Sequence, residues 1–235
     1  MSETPLRDSV DVASLRDIAD QAPLRDEADV APLRDEADVL LLRDEADVAP
    51  LRDEAHGVEV LQSDVAFAGV VWDIRRENFA YGDSTLTREF MEHPGAVAVL
   101  VVDDDDRVLS IQQYRHPIQM RNWELPAGLL DVESESPLEA ARRELAEEAD
   151  LVAAEWQSLI TMHTSPGGSD EVIQVFRATQ LSAAPEVFAR DSEEADIVLR
   201  WIALDEAVDA VLAGRVHNGI FMAAVLAEHA RRSRG

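Results

Sequence analysis

The stretch Ala127 to Leu151, AGLLDVESESPLEAARRELAEEADL, constrains this chain more than any other, because a glycine loop runs there into a helix crowded with acids. Glu144, Glu147 and Glu148 stand at spacings i, i+3 and i+4, which share one face of an α-helix, so three carboxylates gather within about one turn. Such a surface offers only hard oxygen donors and suits Mg²⁺ or Mn²⁺. Like charges this close repel one another, and a cation relieves that repulsion better than bare solvent does. The helix start is well marked: Ser136 is the N-cap, Pro137 takes the first helical position and Glu139 completes a capping box. Leu138, Ala141 and Leu145 fall on a neighbouring arc that can pack inward, with the acids expected to face out.

Elsewhere the chain divides by composition. Leu-Arg-Asp recurs with the leucine at positions 6, 15, 24, 33, 42 and 51, which defines six nonapeptides of the type PLRDEADVA. A step of nine turns a helix through about 900°, so equivalent residues alternate between opposite faces and no continuous apolar stripe forms. Residues 1–57 carry 16 acidic and 6 basic side chains and no aromatic one, so they can bury little and are expected to form a disordered acidic tail. The composition shifts at Gly57, and 46% apolar residues over 235 positions suffice for one real core.

Absent features narrow the function classes. There is no cysteine, which excludes disulfides and thiolate metal sites. A formal charge of −27 argues against a nucleic-acid or anionic-membrane partner. No apolar run reaches about 18 residues and no basic-then-apolar leader opens the chain, so a cytoplasmic location is expected.

Strand patterns run over Val58–Asp73, Ile74–Phe90 as a hairpin around Gly82-Asp83, Ala96–Val102, Val108–Tyr114, Trp156–Met162, Val172–Thr179 and Ile197–Ile202. Asp103–Asp106 reads as a solvated hairpin tip, since it lacks the ligand spacing of a calcium loop. Arg115 to Pro126 reads as a strand end and a loop. Helices are expected over Asp205–Ala213, stopped by Gly214, and over about Gly219–Arg232, capped by Asn218. Strands and helices mix without βαβ regularity, which indicates an α+β sandwich with a mixed sheet between helices.

The acidic segment resembles the Nudix hydrolase signature, G-x5-E-x7-R-E-U-x-E-E-x-G-U with U aliphatic, from Gly128 through Glu135, Arg143, Glu144, Leu145, Glu147, Glu148 and Leu151. Two departures stand out. Six residues separate Gly128 from Glu135 where the signature has five, and Asp150 replaces its second glycine. An extra loop residue is readily absorbed, and Asp tolerates a left-handed helix end better than most residues, so a small stability cost is expected and not a lost site. HPGAV (93–97), QYRHP (113–117), WELPAG (123–128), SPGGSDE (165–171) and EEADI (193–197) are similar in order and separation to the ADP-ribose pyrophosphatase branch of that superfamily.

That resemblance implies an α/β/α sandwich over residues 93–235, Mg²⁺-dependent hydrolysis of ADP-ribose to AMP and ribose 5-phosphate, and a homodimer in which residues 58–92 pack against the partner. It implies metal ligation by the Ala127 carbonyl, Glu144 and Glu148, with Glu147 completing the cluster and a candidate for catalysis. Glu135 and Arg143 take the place of the family's internal ion pair beside Gly128. Aligning on Asp196-Ile197 nominates Glu193, with Glu194 second, as the loop acid that activates water, although a further acidic position of some relatives falls on Ala195. Arg115 is the candidate phosphate contact, because guanidinium grips phosphate oxygens in a fork. Trp123 either stacks on the base or fills the core, and Gly167 with Ser169 marks a substrate-side loop. Two alternatives stay open at the level of sequence: a hydrolase of another nucleoside diphosphate derivative, and a Nudix-fold binding or regulatory module without turnover.

Overall fold

Six consecutive apolar residues, Ala96–Val101, form a strand with every residue buried, and the fold is assembled on it. The computed structural model describes residues 50–186, 188 and 196–234. The expectations for the repeat tail before residue 50, and for Glu193, Glu194 and Ala195, lie outside the described residues.

Among the described residues, ten strands and three helices follow one another: β1 (Val60–Phe67), β2 (Asp73–Tyr81), β3 (Ser84–Glu92), β4 (Ala96–Val101), β5 (Arg107–Arg115), β6 (Met120–Glu124), β7 (Ala127–Leu129), α1 (Pro137–Ala149), β8 (Leu151–His163), β9 (Val172–Ala183), β10 (Val198–Ala203), α2 (Leu204–Leu212) and α3 (Gly219–Ser233). Three sheets result, ordered β7-β4-β9-β8, β10-β5-β6 and β1-β2-β3. The first is mixed, since β4 runs parallel to β9 and antiparallel to β7. Alternation along β4 sends Ala96, Ala98 and Leu100 into one apolar cluster with Phe221, Ala224 and Val225 of α3. Val97, Val99 and Val101 enter a second cluster with Ala140, Ala141 and Leu145 of α1. A sheet covered by helices on both faces is the expected α/β/α sandwich. Among the described residues, no helix is long and apolar enough to cross a membrane.

Local signals hold where one residue decides the geometry. Ser136 accepts from the Glu139 N–H while the Glu139 carboxylate takes the Ser136 N–H, which is the capping box read from sequence. Asn218 Oδ1 accepts from Phe221 N–H at 2.9 Å. Gly82 and Gly214 take φ of 59° and 64° at the turn and helix end assigned to them.

Three expectations are corrected. Val58–Asp73 is not one strand: β1 stops at Phe67, and the Gly69 N–H is held by Asp73 Oδ1 at 3.0 Å in a tight bend. Asp103–Asp106 is the exposed turn expected, closed by Asp103 N–H donating to Arg107 O at 3.0 Å, but β5 does not return along β4 in one sheet. Both edges of β4 are already taken, by β7 and β9, so β5 enters a different sheet and its pairing with the β4 end goes no further than the turn and a Val102–Val108 bridge. The loop between Arg115 and Pro126 contains a short 3-10 turn, His116–Ile118, and strand β6, and β7 follows at Ala127. Their polar, short segments carry no alternation strong enough to read.

On α3, Glu228 is wholly buried and takes hydrogen bonds from Arg177, Arg231 and Arg232 at 2.8 to 3.1 Å. Burial alone would raise its pKa, yet the bonds from Arg231 and Arg232 and the charge and hydrogen bond of Arg177 hold it down to about 2. A depressed carboxylate stabilises the fold above its unfolded pKa and loses that contribution as pH falls toward the folded value. Glu228→Gln is therefore predicted to cost about 3 kcal/mol in urea unfolding at pH 7, with the gap to wild type closing between roughly pH 4.5 and pH 2.

Candidate active site

Helical spacing brings Glu144, Glu147 and Glu148 to one arc of α1, and packing then decides where that arc points. The expectation that the acids face out is corrected: Glu148 is only 5% exposed, and the Glu144 side chain is largely covered. The arc lies against β7. Glu148 Oε2 accepts the Ala127 N–H at 2.9 Å, and a Cβ on Gly128 would fall 1.9 Å from Glu144 Oε1. Only glycine lets the backbone approach the carboxylate this closely.

Arg143 ties the loop to this arc. Its Nε and Nη2 donate to the two oxygens of Glu135 at 3.0 and 2.9 Å, and its Nη1 donates to Glu144 Oε1 at 2.6 Å and Glu147 Oε2 at 3.2 Å. Hydrogen bonding from Arg143 keeps the Glu135 carboxyl below its usual range, and hydrogen bonding to Glu135 raises Arg143 in turn. Neither departure from the signature disturbs this arrangement. The extra loop residue is absorbed in a turn where Glu135 N–H donates to Val132 O and Ser134 takes φ 68°. Asp150 takes φ 53° and its N–H donates to the Ala146 and Leu145 carbonyls, closing α1 as the signature's glycine would.

Beside β7 lies a cavity of about 410 Å³, walled by Ala127, Gly128 and Leu129 together with Trp72, His93, Arg115, Glu124 and Glu171, among others. The three glutamates of α1 do not line it. Ala127 and Gly128 are the shared element, in contact with the carboxylates and with the cavity. Arg115 stands on the cavity wall and pairs with Glu124, a carboxylate on β6 that is 4% exposed, through Nε at 3.2 Å and Nη2 at 2.8 Å. Trp123 sits on the opposite face of β6 from Glu124 and packs against the core formed with α3.

The loop of residues 165–171, expected to lie on the substrate side, is fixed to the end of β3. Met91 N–H donates to Gly168 O at 2.9 Å, and Asp170 Oδ1 accepts the His93 N–H at 2.8 Å. Ser169 is buried and its Oγ accepts the Glu171 N–H, whereas Gly167 is exposed with open space around it. His93 Nδ1 accepts the Gly95 N–H, so in the neutral ring the proton lies on Nε2, 3.3 Å from Glu171 Oε1, while Trp72 stacks on the imidazole at 4.5 Å. Trp72, His93, Glu124 and Glu171 went unassigned in the sequence, since their convergence depends on which strands pair. The available signals were the acid in Trp123-Glu124-Leu125, polarity inside an apolar run, and the place of His93, Glu124 and Glu171 within HPGAV, WELPAG and SPGGSDE.

Among the described residues, no group of three or more His, Asp and Glu side chains is closed around a single metal position. The donor set nonetheless fits a hard divalent cation. It consists of carboxylate and carbonyl oxygens alone, and the gap at Gly128 that a Cβ would fill admits the Glu144 carboxylate to the Ala127–Gly128 backbone.

The NUDIX domain model matches residues 91–224. The chain belongs to the Nudix family, and it is a Nudix hydrolase. More particularly, it is 43% identical over 176 residues to the ADP-ribose pyrophosphatase of Mycobacterium tuberculosis, spanning 74% of this chain and 84% of that one. The Bacillus subtilis protein of the same name is 33% identical over 161 residues, covering 68% and 86% of the two chains. A crystal structure of an ADP compounds hydrolase superposes with a TM-score of 0.65 over 78% of this chain and 99% of that one; at 17% identity it speaks for the fold. Hydrolases of this family generally use a divalent metal.

Gly128→Ala should displace Glu144 without unfolding the chain. We predict at least a tenfold loss of Mn²⁺ affinity, read by electron paramagnetic resonance titration, with the circular dichroism spectrum unchanged.

Proposed function

We propose that this enzyme hydrolyses the pyrophosphate bond of a nucleoside diphosphate sugar, ADP-ribose foremost, to give AMP and ribose 5-phosphate. The observation that carries this reading is the double role of Ala127 and Gly128, which border a nucleotide-sized cavity and meet the Glu144 and Glu148 carboxylates. The names of the Mycobacterium tuberculosis and Bacillus subtilis relatives support ADP-ribose as the first substrate to try.

In this reading Glu144, Glu148 and the Ala127 carbonyl hold Mg²⁺, with Glu147 completing the set and Mn²⁺ able to replace it. The ion, when bound, supplies positive charge against the diphosphate oxygens and the acidity that makes water a nucleophile at neutral pH. Arg143 keeps the carboxylates aimed and Gly128 keeps them close. Arg115 grips a phosphate oxygen and so orients the diphosphate for in-line attack. Gly167 and Ser169 belong to the loop on the substrate side. Glu193, or Glu194 after it, takes the proton from the attacking water.

The active form is proposed to be a homodimer in the cytoplasm. Leu61, Val65 and Phe67 of β1 and Val70 and Val71 of the following bend are exposed on residues 58–92, an apolar surface that a second copy would cover. Residues 93–235 form the catalytic domain in this account, and residues 1–57 an accessory tail.

The test is phosphate release from ADP-ribose, coupled through a phosphatase acting on the products, with and without Mg²⁺, for wild type beside Glu148→Gln. Metal-dependent turnover that falls at least about 100-fold in the variant, some 2.7 kcal/mol of barrier, is expected. A wild type inert toward ADP-ribose and other nucleoside diphosphates, yet binding them tightly, would overturn the reading in favour of a binding module.

A further inference from the structure

We infer that Glu124 is a positioning residue which fixes the plane of the Arg115 guanidinium for a nucleoside diphosphate, an inference that rests on the assignment of Arg115 as a phosphate contact. A carboxylate is an unexpected neighbour for an anionic ligand. Glu124 is nevertheless buried, lines the cavity, and stands on the same face of the β5–β6 pair as Arg115. Removing its charge from water is unfavourable unless partners offset it. The offset comes from one edge of Arg115, whose Nε reaches both Glu124 oxygens at 3.2 Å and whose Nη2 reaches Oε2 at 2.8 Å, together with Gln113 Nε2 at 3.3 Å.

This pairing has a directional consequence. Guanidinium is planar, so two donors held on one carboxylate fix the direction of the remaining N–H bonds, which lie in the same plane. The Arg115 side chain stays 44% exposed on the cavity wall while its partner is buried. A long, flexible side chain at a strand end would otherwise lose rotamer freedom when it met a phosphate. Glu124 makes that ordering part of the fold, so the arginine meets its ligand already oriented. Gln113 anchors the carboxylate from the neighbouring strand, and the three side chains form one layer across β5 and β6.

The experiment uses the full chain with Mg²⁺ and ADP as a diphosphate probe that calls for no turnover. Affinity is measured by calorimetry for wild type, Arg115→Ala, Glu124→Gln and the double variant. Glu124→Gln should weaken ADP about tenfold and raise KM for ADP-ribose by a similar factor, with kcat reduced less than about threefold. In the Arg115→Ala background it should change affinity by less than about twofold. Wild-type affinity in Glu124→Gln, or a full penalty persisting without Arg115, would overturn the inference. Should Glu124→Gln fail to fold, Arg115→Lys keeps the charge and loses the fork; about tenfold weaker binding is expected, and wild-type affinity there would equally overturn it. A wild type inert toward ADP-ribose that still shows this coupling in ADP binding would sink the hydrolase substrate assignment and leave the positioning role standing.

Discussion

One guanidinium holds the acidic site together. Arg143 bonds Glu135 on the loop and both Glu144 and Glu147 on the helix, so a single positive charge offsets three negative ones and joins two segments that would otherwise repel. Because the donors are fixed in a fork, the contact sets direction as well as charge balance. The helix that carries these groups starts at a capping box and ends at a left-handed aspartate, so its register against β7 is fixed at both ends.

That register matters only because β4 is rigid. Both its faces are buried and both its edges are paired, and β7 lies in register beside it at Ala127, Gly128 and Leu129. The glycine that meets Glu144 thus belongs to the most constrained part of the molecule. On the cavity's other side, Arg115 and Glu124 belong to β5 and β6 of a second sheet. The site lies where two sheets meet, one supplying the close backbone and the other the guanidinium.

Much of this was legible in the sequence, where the information is local. Glu144, Glu147 and Glu148 share a face by helical geometry, Ser136 and Asn218 cap as their types suggest, and Ala96–Val101 reads as a buried strand. Residues whose meaning depends on pairing were not legible. Glu148 belongs to a run of acids that periodicity turns outward, and only the Ala127 N–H and the missing Cβ of Gly128 explain why that arc is buried. Glu124 stood beside Trp123, and alternation on a strand that was read as a loop decides which of the two faces the cavity. Asp103–Asp106 is a turn as its residues suggest, but a turn does not reveal that the next strand joins another sheet.

The carboxylates of α1 and the backbone of Ala127 are proposed to be gathered to hold a divalent cation. Anomalous scattering from crystals soaked in Mn²⁺ tests it most directly, since it locates the ion without reference to turnover. An anomalous peak among the Ala127 carbonyl, Glu144 and Glu148 is predicted. A peak held elsewhere on the chain, or none at millimolar Mn²⁺, would contradict it.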